Sequence, residues 1–592
     1  MKWLCFRQSV CALAVCAVFL ASGCRNQAAI AIETVSEGHV FKQITTDKAI
    51  YKTGDVVKFT LTLQQAVPKA TLIVRYKHLN EMIKAEELPI KGDQLSWEWT
   101  PPQADGKGYM AELIVKQNGV MTDHTNIAMD VSSEWGKFPR YGYLADYPSM
   151  DESAMDKVID RLNRFHINGI QFYDWQYKHQ MPIQWDNGKP AKAWKDIANR
   201  QVSFDTVKGY IDLAHQKNMK AMNYNLLFGA YEDADKDGVK KEWGLFKDPL
   251  HKQQDKHPLP KSWASDIYLF DPSNPEWQSY LFQEEKRTFA ALPFDGYHVD
   301  QLGDRGALWR YDGKSINLST TYGDFLNKAK ESLNVDLVMN AVGQYGQGSI
   351  AQGPVKFLYT EVWEGHPQFR NLKDIIDQNA KYGKNQYKTV FAAYMNYKAS
   401  NAAGEFNAPG VLLADAVMFA LGGSHLELGE NMLSKEYFPH KNLKITPALE
   451  EQLVTYYDFL VAYQNLLRDG AKETSLELSS AAGLQLSKTA EKGKIWAYSV
   501  EKDGKDILHL INFTDATTMN WNDTDGKQAV PQPKDNVVIT VQTEKKAKNV
   551  WLASPDYVNG SPVTVRFKQQ NGHLDLTIPH LKYWDMVVIE YE

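Results

Sequence analysis

The stretch "FDGYHVDQLGDRG", residues 294–306, passes from an apolar run into acids, glycines and an arginine. A short apolar run that ends in a carboxylate reads as a buried strand whose last residue leaves the core. Seven other stretches have the same character. They are "YGYLADY" (141–147), "GIQFYDW" (169–175), "KAMNYNLLF" (220–228), "LVMNAV" (337–342), "VKFLYTEVW" (355–363), "KTVFAAYMN" (388–396) and "SHLELGE" (424–430). Amphipathic stretches of helical period separate them, such as "MDKVIDRLNRF", "FDTVKGYIDLAHQK", "GDFLNKAKESL" and "FRNLKDIIDQNAKYG". Strands alternating with helices predict a parallel sheet. Eight such units predict a (β/α)8 TIM barrel over residues 136–470. An open doubly wound sheet is the competing topology, but no Gly-rich phosphate fingerprint follows the first strand.

Both flanks read as β structure. Residues 38–135 alternate apolar and polar positions in "VVKFTLTL" (56–63), "ATLIVRY" (70–76), "LSWEWT" (95–100) and "YMAELIV" (109–115). Short strands at this spacing predict an immunoglobulin-like β-sandwich, here without a cysteine pair to bridge its sheets. After the helical "PALEEQLVTYYDFLVAYQNLLRDG", residues 471–592 return to strands such as "KIWAYSV", "ILHLINF", "NVVITVQT" and "MVVIEY". A C-terminal antiparallel β-sandwich is expected there.

Composition narrows the class of function. The chain has 592 residues, 43% hydrophobic and 23% charged, with 16 Trp and 30 Tyr. That length predicts several domains. The net charge of −6, without a basic block, argues against nucleic acid as a partner. All four cysteines (Cys5, Cys11, Cys16 and Cys24) fall in the first 24 residues. There Lys2 and Arg7 precede the apolar "VCALAVCAVFLA" and then "LASGC", the order of a bacterial export signal. Residues 1–23 resemble a lipoprotein signal peptide, with Cys24 as the lipidated residue and 24–37 as a linker. The resemblance is imperfect: Ala21 stands three places before Cys24, where leucine is usual. Cleavage would remove two positive charges and leave a mature chain without a disulfide. An exported lipoprotein is expected, in the outer membrane, periplasm or at the cell surface.

In a barrel of this kind the chemistry gathers where the strands end. Asp300 closes the fourth strand and Glu361 ends the sixth. Two carboxylates at strand ends can split a glycosidic bond, one ionised to attack the anomeric carbon and one protonated to release the leaving oxygen. Other strand ends carry Tyr143, Asp146, Tyr173, Asp174, Trp175, Tyr177, Tyr224, Asn225, Trp363, Tyr394, Asn396, His425 and Glu427. Aromatic faces stack on sugar rings, and amides and carboxylates bond hydroxyl groups. "DADKDG" (233–238) begins like a calcium loop, but its twelfth position is Gly244 rather than glutamate. A solvated acidic turn is the better reading, and no metal or other cofactor is expected.

With "FPRYGYL", "FYDWQYKHQMP", "FDGYHVDQLGD" and "YTEVWE", the chain resembles glycoside hydrolase family 66 along nearly its whole length. That family comprises dextranases and cycloisomaltooligosaccharide glucanotransferases. The resemblance implies Asp300 as nucleophile and Glu361 as acid/base, with Glu364 the other glutamate of the motif. The implied partners are dextran and its isomalto-oligosaccharides, with the N-terminal lipid in the membrane and a monomeric chain. The family's cyclising members carry a binding module inserted in the barrel. The longest break here, residues 229–266, is too short for one, which favours an endo-acting, retaining hydrolase of α-1,6 linkages. Two rivals are a retaining hydrolase or transglycosylase on another α-glucan and a non-catalytic glycan-binding lipoprotein.

Overall fold

The computed structural model describes residues 32–363, 365–480 and 483–592. The leader with Cys24, and Glu364, lie outside the described residues. All eight expected strands form one parallel sheet in chain order. They are β1 (Tyr141–Leu144), β2 (Gly169–Phe172), β3 (Lys220–Leu226), β4 (Gly296–Asp300), β5 (Asp336–Val342), β6 (Leu358–Glu361), β7 (Thr389–Ala392) and β8 (Ser424–Leu426). The ends of this sheet meet just beyond β8, where Tyr143 donates its N–H to the Leu428 carbonyl at 3.1 Å. Gly142 makes that seam possible, because a Cβ there would stand 2.9 Å from the same carbonyl oxygen. The sheet is thereby curled into a nearly closed barrel.

One helix follows each strand: α1 (Glu152–Arg164), α2 (Phe204–Gln216), α3 (Pro275–Ala291), α4 (Tyr322–Leu333), α5 (Gln347–Ile350), α6 (Phe369–Tyr382), α7 (Ala408–Ala420) and α8 (Pro447–Ala462). Their starts are chemically marked. Asp151, Ser203 and Asn274 accept backbone N–H groups of the first turns of α1, α2 and α3. α7, "APGVLLADAVMFA", is apolar nearly all round and buried along its length. A helix buried on every side needs no polar face. Here the barrel covers one side and the strands Lys505–Asn512 and Trp584–Tyr591 cover another. No helix among the described residues is long and apolar enough to cross a membrane.

The flanks are antiparallel, as the alternation predicts. The strands Phe41–Thr46, Val57–Leu63 and Gln94–Trp99 form one sheet, and Glu81–Pro89, Ala70–His78, Lys107–Gln117 and Val120–Val131 form another. Phe59 and Leu61 from the first share a core with Leu72, Val74 and Leu113 from the second. The strand "EMIKAEELP" (81–89) escaped the sequence reading because it is an exposed edge with charges along it, a guard against edge pairing. Beyond residue 470, Leu508, Leu510 and Val587 of one sheet meet Ile539, Leu576 and Ile578 of another in a second β core.

Asp458 on α8 ties these regions together. It accepts the Ala128 N–H at 2.8 Å, Arg164 Nη2 at 2.7 Å and an N–H from His166 Nε2 at 2.7 Å. Burial pushes its carboxyl up, but Arg164 and His166 outweigh that and hold it below the usual carboxylate range. Replacing Asp458 by Ala strands a buried guanidinium, and such losses cost about 3–5 kcal/mol. Denaturant unfolding should show that loss at neutral pH. Because the folded-state pKa is depressed, the contribution is present above the unfolded value and vanishes as pH falls through the folded one. The wild-type and D458A stabilities should therefore converge in acid.

Candidate active site

The carboxyl ends of the strands open on a cavity of about 590 Å³. Side-chain alternation decides what reaches it. On β4, Tyr297 and Val299 face the helices while His298 and Asp300 face inward. On β5 Asn340 and Val342 face the cavity, and on β6 Tyr359 and Glu361. Parallel register aligns these strands, with Leu226 beside Asp300, Asn340 beside Tyr359 and Val342 beside Glu361.

The two acids are joined by one amide. Asn340 Nδ2 donates to Asp300 Oδ1 at 2.8 Å and to Glu361 Oε2 at 2.9 Å. Those two oxygens can stand no farther apart than the sum of these distances, 5.7 Å. Tyr224 donates its hydroxyl to Asp300 Oδ2 at 2.6 Å, and Tyr394 donates to Glu361 Oε1 at 2.5 Å. The Asn340 Oδ1 is buried without a partner.

This environment separates the two acids. Burial, and then the charge of Asp300, push the Glu361 carboxyl up to about 7. Burial also raises Asp300, but donors from Tyr224, Asn340 and the Gln301 backbone oppose it. Near neutrality the pair can hold one proton on Glu361 and a charge on Asp300, the division that acid-assisted displacement requires. Asp174 lines the same cavity in a left-handed turn (φ 44°), its carboxyl raised to about 7 by burial and by Asp196. His179 also lines the cavity. Asn225 Nδ2 donates to the His179 carbonyl and to Glu285, so its Oδ1 must accept the His179 Nδ1–H at 3.0 Å. Burial pushes His179 down to about 4, so near neutrality the ring is neutral and, with its proton on Nδ1, its Nε2 is a hydrogen-bond acceptor.

Of the residues read from sequence, Asp300, Glu361, Tyr173, Asp174, Tyr224, Trp363 and Tyr394 line the cavity. Eight candidates do not, Asp146 and His425 among them, and their polar atoms make contacts within the fold. The Tyr143 hydroxyl donates to the Asn431 carbonyl, and the Trp175 indole donates to Asn223. Tyr177 sits beside Lys178 and accepts the Tyr231 hydroxyl at its carbonyl. Asn225 faces outward one place after the inward Tyr224 and bonds Glu285. Asn396 donates to the Asp523 carbonyl, holding a loop of the C-terminal region. Glu427, one place after the inward Leu426, is buried with Asp415, His425 and Tyr457 on the helix side of β8.

The sequence reading missed Gln171, His298, Asn340 and Tyr359 on the floor and walls, although strand alternation marks them. It also missed His257 and Trp263, carried in by the segment between β3 and α3, and Tyr437 and Phe438 from the loop after β8. No local pattern marks loop residues that travel this far. In "DADKDG", Lys178 Nζ reaches Asp233 Oδ1 at 3.0 Å and Asp237 Oδ2 at 2.9 Å, so an ammonium answers those carboxylates.

The profile of the family described as Glycosyl hydrolase family 66 matches residues 46–588. A cycloisomaltooligosaccharide glucanotransferase of Niallia circulans is 25% identical across 93% of this chain and 72% of its own length. A dextranase of Streptococcus salivarius is 24% identical across 83% of this chain and 68% of its own. The crystal structure of a Paenibacillus cycloisomaltooligosaccharide glucanotransferase with cycloisomaltoheptaose matches with a TM-score of 0.87 at 25% identity, covering 94% of this chain and 100% of that one.

Two titrations test the electrostatics. Asp300→Asn removes a charge that holds the Glu361 proton, so the Glu361 carboxyl should titrate below about 7, as read by carbon NMR of its side chain. Tyr224→Phe removes a donor to Asp300 and should shift the Asp300 titration upward.

Proposed function

We propose, from the premise that the chain belongs to glycosyl hydrolase family 66, that it cleaves α-1,6-glucosidic bonds inside dextran with retention of configuration. The observation that carries this reading is the shared Asn340 nitrogen. It keeps the nearest oxygens of Asp300 and Glu361 within 5.7 Å. Retaining enzymes hold their two carboxyls about 5–5.5 Å apart, whereas inverting ones need about 6.5–9.5 Å to admit a water. Asp300 attacks the anomeric carbon while Glu361 gives its proton to the leaving glycosidic oxygen. The resulting β-glucosyl ester is then hydrolysed by a water whose proton passes to the Glu361 carboxylate, and a second inversion returns the α product.

Dextran is favoured by the dextranase relative and by the cycloisomaltoheptaose complex of the similar transferase. Internal cleavage is supported by a cavity walled by aromatic residues from several separate loops, including Trp263, Trp363 and Tyr437. Hydrolysis is preferred to cyclisation because the longest break in the barrel is occupied by short strands, 3-10 turns and loops that line this mouth. We read residues 38–135 as an immunoglobulin-like sandwich, 136–470 as the catalytic barrel and 471–592 as a C-terminal sandwich. The chain is read as a monomer, lipidated at Cys24 and exported. Labelling with a fatty-acid analogue that is lost in Cys24→Ser would support the anchor, and unchanged labelling would remove it.

The decisive experiment is incubation of the mature protein with dextran, sizing the products and following their anomers by proton NMR. Mixed isomalto-oligosaccharides in the α configuration are expected before mutarotation. β product first would refute double displacement, glucose alone would mean an exo-acting enzyme, and cyclic products would assign the chain to the transferases. Asp300→Asn and Glu361→Gln should each lower turnover by roughly 10²–10⁴-fold with folding intact. Azide should give the β-glucosyl azide with Asp300→Gly and the α-azide with Glu361→Ala. Prolonged chelation should leave activity unchanged, since Lys178 answers the acidic turn.

A further inference from the structure

A second large cavity, of about 580 Å³, lies where the barrel meets the C-terminal region. α6 supplies Asp377 and Lys381 to its wall, and the C-terminal strands Lys472–Thr474 and Ile495–Lys502 supply Lys472, Glu473 and Tyr498. Two further cations line it: Lys388, the residue before β7, and Arg468, shortly after α8. Lys388 lies level with the start of β6, where its carbonyl accepts the Leu358 N–H at 2.9 Å, whereas Glu361 closes the other end of that strand. The cavity is therefore at the foot of the barrel, away from the acid pair.

Its acids are answered and two of its cations are not. Asp377 and Glu473 both meet the Lys373 ammonium, at 2.7 and 2.8 Å. Arg468 is only 2% exposed, and its guanidinium bonds neutral oxygens, the Pro139 and Gly422 carbonyls and the Ser424 hydroxyl. Its Nη1 is buried without a partner. Asp469 attracts the half-buried Lys388 but pairs instead with Lys137 at 3.6 Å and accepts the Asn465 amide. Among the described residues, no carboxylate comes within ion-pair distance of Lys388 or Arg468. Burial, and then the charge of Arg468, push the Lys388 amine down to about 8, so near neutrality it keeps its proton. Two neighbouring positive charges are thus held out of water without a counterion, an arrangement that an anion relieves.

We infer that this cavity binds a phosphate monoester carried on a sugar. Such a group brings about 1.5–2 negative charges near neutrality, which matches the two unanswered cations. Lys388 donates to a phosphate oxygen, and Arg468 adds its charge from the buried wall behind. A bare phosphate would fill only a small part of this space. The remaining wall, with Asn385, Tyr387 and Tyr498, offers rings and polar groups that suit a hydroxylated body. The site shares no residue with the acid pair and does not depend on the reaction proposed above.

The test has two arms, which separate a soluble sugar phosphate from one displayed on a membrane. In the first, the protein expressed without its leader is dialysed to equilibrium against glucose 6-phosphate. Lys388→Met should fold, because the lysine leaves no ion-pair partner stranded, and it should weaken binding at least about ten-fold, the scale of one charge-assisted hydrogen bond. On binding to the unmutated protein, the Lys388 amine should titrate above about 8, as read by NMR of labelled lysine. In the second arm the same protein is sedimented with phosphatidylcholine vesicles containing lipid A, whose headgroup is a sugar phosphate. Retention on those vesicles that is lost in Lys388→Met would assign the site to a phosphorylated glycolipid, and binding of glucose 6-phosphate alone would assign it to a soluble ligand. Binding of neither probe, or a Lys388→Met protein that binds as tightly as the unmutated one, would overturn the site. Inorganic phosphate bound as tightly as glucose 6-phosphate would overturn the sugar.

Discussion

One amide nitrogen sets the geometry of this site. Asn340 can donate to Asp300 and Glu361 together only because β4, β5 and β6 are neighbours in fixed parallel register. A slip of one residue in β5 would turn Asn340 toward the helices and leave two buried acids facing each other without a shared donor. The barrel's closure, the inward floor of Tyr141, His298 and Tyr359, and the mouth loops all serve to hold that register. Tyr141 bonds the His298 ring at 3.1 Å, and burial pushes His298 down to about 3, so the floor beneath the acids is uncharged. A neutral floor leaves the field at the acid pair to the acids themselves.

The sequence made the architecture legible because period and polarity change together at each boundary. All eight barrel strands were readable, as were Asp300 and Glu361, since an acid at a strand end is often only a helix cap but two of them among aromatic strand ends point to a site. The site beyond that pair was less legible. Strand-end residues were read as one group, whereas alternation divides them. Tyr224 faces the cavity and Asn225 the helix layer, and Leu426 faces the barrel interior while Glu427 turns to α8. Asn340 could have been found by the same alternation. Trp263 and Tyr437 could not, because nothing local fixes where a long connection lands.

Buried acids outside the Asp300–Glu361 pair show how the barrel manages polarity between its layers. Glu285 accepts from two amides, Asn223 at 2.6 Å and Asn225 at 2.7 Å, with burial pushing its carboxyl up to about 7. Those amides in turn hold Trp175 and His179, so an acid on α3 orients a residue of the cavity wall. Asp415 and Glu427 meet His425 in a comparable buried group near α7. These networks have no period in the sequence, because their members come from different elements and meet only through tertiary packing.

The all-apolar α7 has a bearing on inheritance and engineering. A segment covered on both sides cannot be exchanged one neighbour at a time. Cutting the chain near residue 470 would leave its outer surface bare to solvent, and Trp584 would lose the ring of Phe459 on α8, 4.8 Å away. Barrel and C-terminal sheet are thus a single heritable unit in spite of their separate topologies. Lineages that shuffle appendages onto this scaffold must place them in loops or beyond its ends, and a minimal version cut down to the barrel would be an aggregate before it was an enzyme.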